Sequence, residues 1–492
     1  MSEPDDRSQD ATPPVATPPA ARPKPARRPV QHLTRAERAA AGKATRSAVP
    51  LAAMAQAFGD GERADPVDLL QTQAESRVAE LVPIRYGRML TSEFAFYRGS
   101  AIVMATDLAA TPSPGLRVQL CGDAHMSNFG VFASPERQLV FDANDFDETA
   151  PGPFEWDVKR LAASLEVAGR ANGFKTRARR AVVLAAAASY RQAMRAFATQ
   201  TNLEVWYAHL NTDAVMAEHG SSLLPRGRKL TTAALAKART RDSMHAFARL
   251  VTTVDGRPRI TPDPPLIVPI EDLLGTADVD ELYAALRGML RSYRRTLTSD
   301  RRVLLEQYEL LQLARKVVGV GSVGTRAWIL LMQGVDGADP MFLQAKEAQA
   351  SVLEAHAGRS GHGNHGQRVV HGQRLMQATS DIFLGWQRVT GTDGVARDYY
   401  IRQLRDQKGS AIVENMREPG MTVYGRLCGW TLARAHARSG DRVAIAAYLG
   451  AKPVFDNAIA DYAVSYADQT SRDFKTLEAA AETGRIHVLT GL

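Results

Sequence analysis

Two short apolar runs, "LRVQLCGD" and "RQLVFDAND", each end at once in carboxylates. Between them "GDAHMSNF" sets Asp123 five residues before Asn128, and Asp145 stands seventeen residues beyond Asn128. Acids that close apolar strands sit where loops converge on a ligand. One carboxylate beside an acceptor hydroxyl, with an amide and a second carboxylate on a hard cation, is what phosphoryl transfer requires. Asp123 would then orient or deprotonate the acceptor. Asn128 and Asp145 would hold Mg²⁺, with Asp147 and Asn144 available to a second metal. Asp, Asn and Gly are also the ordinary turn residues, so the loop by itself admits a plainer reading. His125 has no second His at metal spacing and reads as a group that packs the loop.

A second pattern lies far along the chain. In "VVGVGSVGTRAWILLM", Gly319, Gly321 and Gly324 form G-x-G-x-x-G between two apolar strands, and Lys346 follows in "MFLQAKEA" on the next strand. In a dinucleotide fold the glycines would open a helix, whereas "TRAWILLM" is strand-like. The alternative is a glycine hairpin with a surface lysine on an edge strand. Arg85, Arg88 and Arg98 of "PIRYGRMLTSEFAFYRG" could reach an anionic acceptor or could merely stabilise a helix surface.

The elements that must position these groups follow from periodicity. Residues 33 to 110 read as mainly helical, with an Asp-Pro helix start at Asp65. Ala-rich amphipathic helices run from "EWDVKRLAASLEVAGRANG" to "RQAMRAFATQ", and helical patterning resumes from about 280 to 313. The last third returns to strands, then to the helix "VYGRLCGWTLARAHARSG". At 492 residues and 45% apolar, the chain can bury a sizeable core. Of the net charge of +8, an excess of seven falls within residues 11–50, so the remainder is close to neutral and gives no nucleic-acid footprint. Two cysteines cannot form a disulfide framework, and no run of 18 apolar residues occurs. The expectation is a cytoplasmic protein without a membrane span. Residues 1–30, with eight of the 25 prolines, are expected to be a disordered basic tail.

The loop at Asp123 resembles the catalytic and metal-binding loops of the protein-kinase-like superfamily, especially the aminoglycoside and choline phosphotransferase branch. That loop reads H-G-D-x-x-x-x-N followed by a strand and an Asp; Cys121 stands here in place of the His. The resemblance implies a further Asp, opening a helix, that supports the loop. Asp157 of "EWDVKRLAASL" stands twelve residues after Asp145, which selects Asp145 over Asp142 and Asp147 as metal ligand. Strand, glycine loop, strand, turn and strand with Lys346 is the order of a kinase nucleotide lobe, in which that lysine grips the phosphates of ATP. The lobe normally precedes the catalytic loop, and here it follows.

The fold class implied is α+β, a protein-kinase-like two-lobe fold, circularly permuted, with a large helical portion. Its parts would be a helical region at 31–114, the catalytic half at 115–200, a mainly helical insertion at 201–309, the nucleotide-binding lobe at 310–408, and C-terminal helices at 409–492 that pack on the catalytic half. The glutamate that pairs the lysine in kinases stays open: Glu354 is nearest, while the stronger helix offers Gln367 and Gln373. From about residue 33 the chain also resembles the uncharacterised bacterial family designated domain of unknown function 2252, through "PIRYGRML", "FAFYRG", "GDAHMSNFG", "FDANDFDE", "WDVKRLAASL", "FLQAKEA", "HGQRLMQ" and "LARAHARSGD". The expected activity is ATP- and Mg²⁺-dependent phosphotransfer to a small-molecule hydroxyl. Its rivals are a metal-dependent phosphoesterase, which would leave Lys346 without a role, and a non-catalytic pseudokinase scaffold.

Overall fold

The computed structural model describes residues 32–491 other than 275–278, 318, 392 and 405–406; the expected tail at 1–30 lies outside the described residues. The chain opens with helices α1 (Arg35–Ala48), α2 (Pro66–Ala74), α3 (Val82–Met89), α4 (Glu93–Gly99) and α5 (Ala101–Ala109). The Asp65 carboxylate accepts from the amides of Val67 and Asp68, with Pro66 filling the first helical position, as the Asp-Pro pair predicts. Strands β1 (Arg117–Leu120), β2 (Phe129–Ala133), β3 (Leu139–Ala143) and β4 (Ala150–Pro153) follow. β1 pairs with β4 and β2 with β3, both antiparallel, so the Asp123 loop and the turn after β3 emerge together.

Helices α6 (Phe154–Ala171) and α7 (Thr176–Phe197) come next, and α6 is buried from Phe154 through Gly169. Residues 202–306 are mainly helical, with the short strand β5 (Leu210–Asn211), a hairpin of β6 (Val251–Val254) and β7 (Arg257–Ile260), and β8 (Ile267–Pro269). Then come β9 (Glu309–Lys316), β10 (Ala327–Gln333), β11 (Pro340–Ala348), helix α8 (His365–Met376), β12 (Gly385–Thr390) and β13 (Ala396–Gln403). β8 to β13 make an antiparallel sheet in the order β12-β13-β11-β10-β9-β8. Both its faces are covered, which explains the unbroken apolar run of β10: Leu330 and Met332 join Tyr293 and Phe383, while Ile329 and Leu331 join Leu250 and Phe342.

The chain returns through β14 (Gly409–Ser410), paired with β2, to helices α9 (Glu418–Ser439), α10 (Arg442–Leu449) and α11 (Val454–Glu482). These pack on α6 and α7 in one core holding Leu161, Leu165, Val183, Leu432 and Ile459. Gly429 permits the approach of α9 to α7, since a Cβ there would lie 2.3 Å from the Ala186 carbonyl oxygen. The end of α9 meets β1: the Gln119 amide donates to Ser439 Oγ at 3.1 Å. Cys121 and Cys428 are buried and free. Among the described residues, no helix is long and apolar enough to cross a membrane.

Candidate active site

Helix α6 builds the Asp123 loop from below. The amides of Cys121 and Gly122 donate to the two Asp157 oxygens at 2.7 and 3.0 Å, and His436 Nε2 lies 3.2 Å from the same carboxylate. Gly122 has φ +87°, and a Cβ there would stand 2.1 Å from the Glu148 carbonyl oxygen, so only glycine makes this turn. Ser164 Oγ accepts from the Met126 amide at 2.9 Å. Asp157 thus supports the loop, in the place the sequence suggested.

One turn beyond Asp157, Arg160 donates through Nε to Asp123 Oδ1 at 2.8 Å and through Nη2 to the Tyr97 carbonyl at 2.7 Å, with its guanidinium 3.9 Å from the Tyr97 ring centre. Burial raises the Asp123 carboxyl above its ordinary range, against the pull of Arg160. His125 sits with Nε2 3.7 Å from Asp123 Oδ2, and burial followed by Arg160 and Arg98 holds its pKa well below the usual value. Its side chain is buried against the loop. Asn128 Nδ2 donates to the Asp123 carbonyl at 2.6 Å, which leaves its amide oxygen as the atom able to meet a cation.

The turn after β3 comes to the same place, through a bond from Cys121 Sγ to the Asp145 carbonyl at 3.1 Å. Asp142 forms a buried two-oxygen pair with Arg434 of α9, at 2.6 and 2.7 Å, and is committed to structure. Among the described residues, the Asp145 carboxylate accepts one weak bond, from the Asp147 amide at 3.3 Å. Burial and then the Asp147 charge push the Asp145 carboxyl up, with Lys346 and Arg402 opposing. Asp147 is engaged instead: Tyr400 Oη donates to Oδ1 at 2.6 Å, and Lys346 Nζ and Ser322 Oγ donate to Oδ2 at 2.5 and 3.1 Å. Burial works against the Asp147 charge, but Lys346 and Tyr400 outweigh it and bring the carboxyl down to about 2. The same contact raises Lys346 against the effect of burial.

Lys346 and Ser322 lie 199 and 175 residues from Asp147 in sequence, so the two distant patterns meet. Lys346 owes its position to register, standing between Ala327 on β10 and Tyr400 on β13. Glu354 is not its partner: that carboxylate lies 3.5 Å from Arg368 Nε, and Gln373 bonds Gln377. The buried Arg368 of α8 donates to the carbonyls of Thr149, Asp147 and Gln349 at 2.5, 2.8 and 2.7 Å, and so fastens this helix to the turn.

The loop between β9 and β10 carries Gly319 at φ +66° and Gly324 at φ +89°. The helices α2 to α4 lie on it: Arg88 Nη1 donates to the Gly319 carbonyl at 2.7 Å, the Val78 amide donates to the Gly324 carbonyl at 2.8 Å, and a Cβ on Gly321 would lie 3.3 Å from the Arg98 carbonyl oxygen. The loop is thus pinned by helices.

Asn128 and Asp145 offer oxygen atoms of the kind taken by Mg²⁺, which binds few protein oxygens and fills its other positions with water and phosphate. Asp147 already accepts from Tyr400, Lys346 and Ser322, so a cation there would share its oxygens with them. Among the described residues, no three His, Cys, Asp or Glu come together as a metal site. Sequence reasoning missed Arg160, Tyr400, Ser322 and Arg402. Arg160 had a signal, its i+3 spacing from Asp157 on one helix face. Tyr400 had none, because strand pairing decides which residue faces Lys346.

No curated protein and no solved structure matches the chain. The family model described as an uncharacterized protein conserved in bacteria (DUF2252) matches residues 77–480, a span that includes the Asp123 loop, the glycine loop and Lys346. The chain belongs to that family.

Proposed function

We propose that the protein is an ATP- and Mg²⁺-dependent phosphotransferase acting on a small-molecule hydroxyl, built as a circularly permuted protein-kinase-like fold. The observation that carries this reading is the contact of Lys346 and Ser322 with Asp147, beside Asp145 and the Asp123 loop. It joins a glycine-loop and lysine strand system to a carboxylate pair, which is the combination phosphoryl transfer uses. The order of β9, glycine loop, β10, β11 with Lys346, α8, β12 and β13 is that of a kinase nucleotide lobe, and α9 ends at β1, where a lead-in helix would feed the catalytic loop. Moving the chain ends to another exposed place leaves such packing intact.

In this reading Lys346 and the glycine loop hold the ATP phosphates, and Asp147 holds Lys346. Asn128 and Asp145 are the residues that would carry Mg²⁺, which supplies neutralisation of phosphate charge when bound. Asp123, fixed by Arg160, orients the acceptor hydroxyl. The acceptor oxygen bonds to the γ-phosphorus as the bridging P–O bond breaks, its electron pair leaves on ADP, and the acceptor proton passes to Asp123.

The test is nucleotide turnover with Mg²⁺ over a panel of hydroxyl compounds. Wild type should release ADP, and Asp123→Asn should slow this by about a hundredfold or more while still binding Mg-ATP. Pyrophosphate as the product would replace phosphoryl transfer by AMP transfer. Hydrolysis of phosphomonoesters without nucleotide would instead support a phosphoesterase.

A further inference from the structure

The helices over the glycine loop carry more positive charge than the site described so far employs. Arg85 is fully buried; its Nη2 donates to Gln73 Oε1 at 2.6 Å and to the Gly99 carbonyl at 2.9 Å, while Nε and Nη1 have no partner. Arg77 donates through Nη1 to the Val323 carbonyl, packs its stem on Gly324, and keeps a buried Nε without a partner. Arg98 has an unpartnered, buried Nε and makes no side-chain hydrogen bond or ion pair among the described residues. None of the three has a carboxylate within ion-pair distance among those residues, although the Glu148 charge acts on Arg77 and Arg85 and these two act on each other. The Arg85 guanidinium, fully removed from water with no carboxylate in contact, favours an anion nearby, and Arg98, partly exposed and unpaired among the described residues, is the arginine a solute can reach. Its planar fork suits phosphate or carboxylate. The place is defined from two sides: the Arg98 backbone abuts Gly321, and the Arg98 charge acts on Asp123 and His125.

We propose that Arg98, flanked by Arg77 and Arg85, is the anion-binding subsite of the acceptor: the hydroxyl compound carries a phosphate or carboxylate of its own. This rests on the phosphotransferase reading for the word acceptor, and on the arginines alone for the anion. The probe is inorganic phosphate, titrated in a thermal-shift experiment at constant ionic strength, with acetate in parallel to tell phosphate from carboxylate. Whichever anion fits should raise the wild-type midpoint saturably, because it binds only the folded state. Arg98→Gln breaks no hydrogen bond and should stay folded, with its own anion-free midpoint as the baseline, and should weaken that anion at least about tenfold. The gain should persist under saturating Mg-ATP. No gain with either anion, or an equal gain in Arg98→Gln, would overturn the subsite. A gain abolished by Mg-ATP would assign the arginines to the nucleotide and overturn the acceptor assignment. An Arg98-dependent gain without any Mg-ATP shift would leave the anion site standing and remove the phosphotransferase reading.

Discussion

Asp147 fills the place of the partner of Lys346 that the sequence left open between Glu354 and a helix offering only Gln367 and Gln373, and this changes how Lys346 is held. The lysine is fixed by the turn after β3, so its position depends on the sheet of β11 meeting that turn. A second lysine gives this arrangement a pH signature. Burial pushes Lys408 down to about 7, Arg402 and Lys346 add to the effect, and Asp145 and Asp147 oppose it. The ordinary lysine value is near 10.4, so between about pH 7 and 10 the unfolded chain holds the proton that the folded chain has released. Stability from this residue therefore rises with pH across that window. Lys408→Met should be more stable than wild type by a margin that is largest near pH 7 and shrinks towards pH 10 in urea melts. A margin independent of pH would show that Lys408 is not desolvated. At this scale the sequence carried Asp123, Asn128, Asp145 and Lys346, because strand ends and glycine spacing are local patterns. It could not carry the Lys346–Asp147 contact, which depends on the register that sets Tyr400 opposite Lys346.

The elements show why the loop is rigid. Helix α6 buries Asp157 at 1% exposure and directs both its oxygens to backbone amides of the loop, so the helix serves as its template. Removing this carboxylate would leave two buried donors unsatisfied, and each such donor costs about 1–3 kcal/mol. Asp157→Ala should therefore lose about 2–5 kcal/mol in urea denaturation and speed hydrogen exchange at Cys121 and Gly122; exchange as slow as in wild type would mean that the loop is held by something else. The helices and the strands β1, β3 and β10 to β13 were legible, since periods of 3.6 and 2 are written in the chain. The short strands β2, β4 and β5 were not, and the helical reading up to residue 313 is corrected by β9, which takes Glu309–Lys316 into the sheet. The clamping of the glycine loop by α2 to α4 was not, because a buried arginine and a surface arginine look alike in a sequence.

At the scale of the molecule, residues from both ends of the chain build one core, with α9 and α11 packed on α6 and with α9 ending at β1. The order of elements in the sequence is what suggests the proposed permutation, whereas the closeness of the distant segments depends on long-range packing. The central claim is that the segment around Lys346 and the segment around Asp145 form a single Mg-ATP site. The most direct measurement is a calorimetric titration of Mg-ATP into wild type, Asp145→Ala and Lys346→Ala. One site in wild type, weakened at least about tenfold by either substitution, is the result this account predicts. No binding to wild type, or equal affinity in all three proteins, would contradict it.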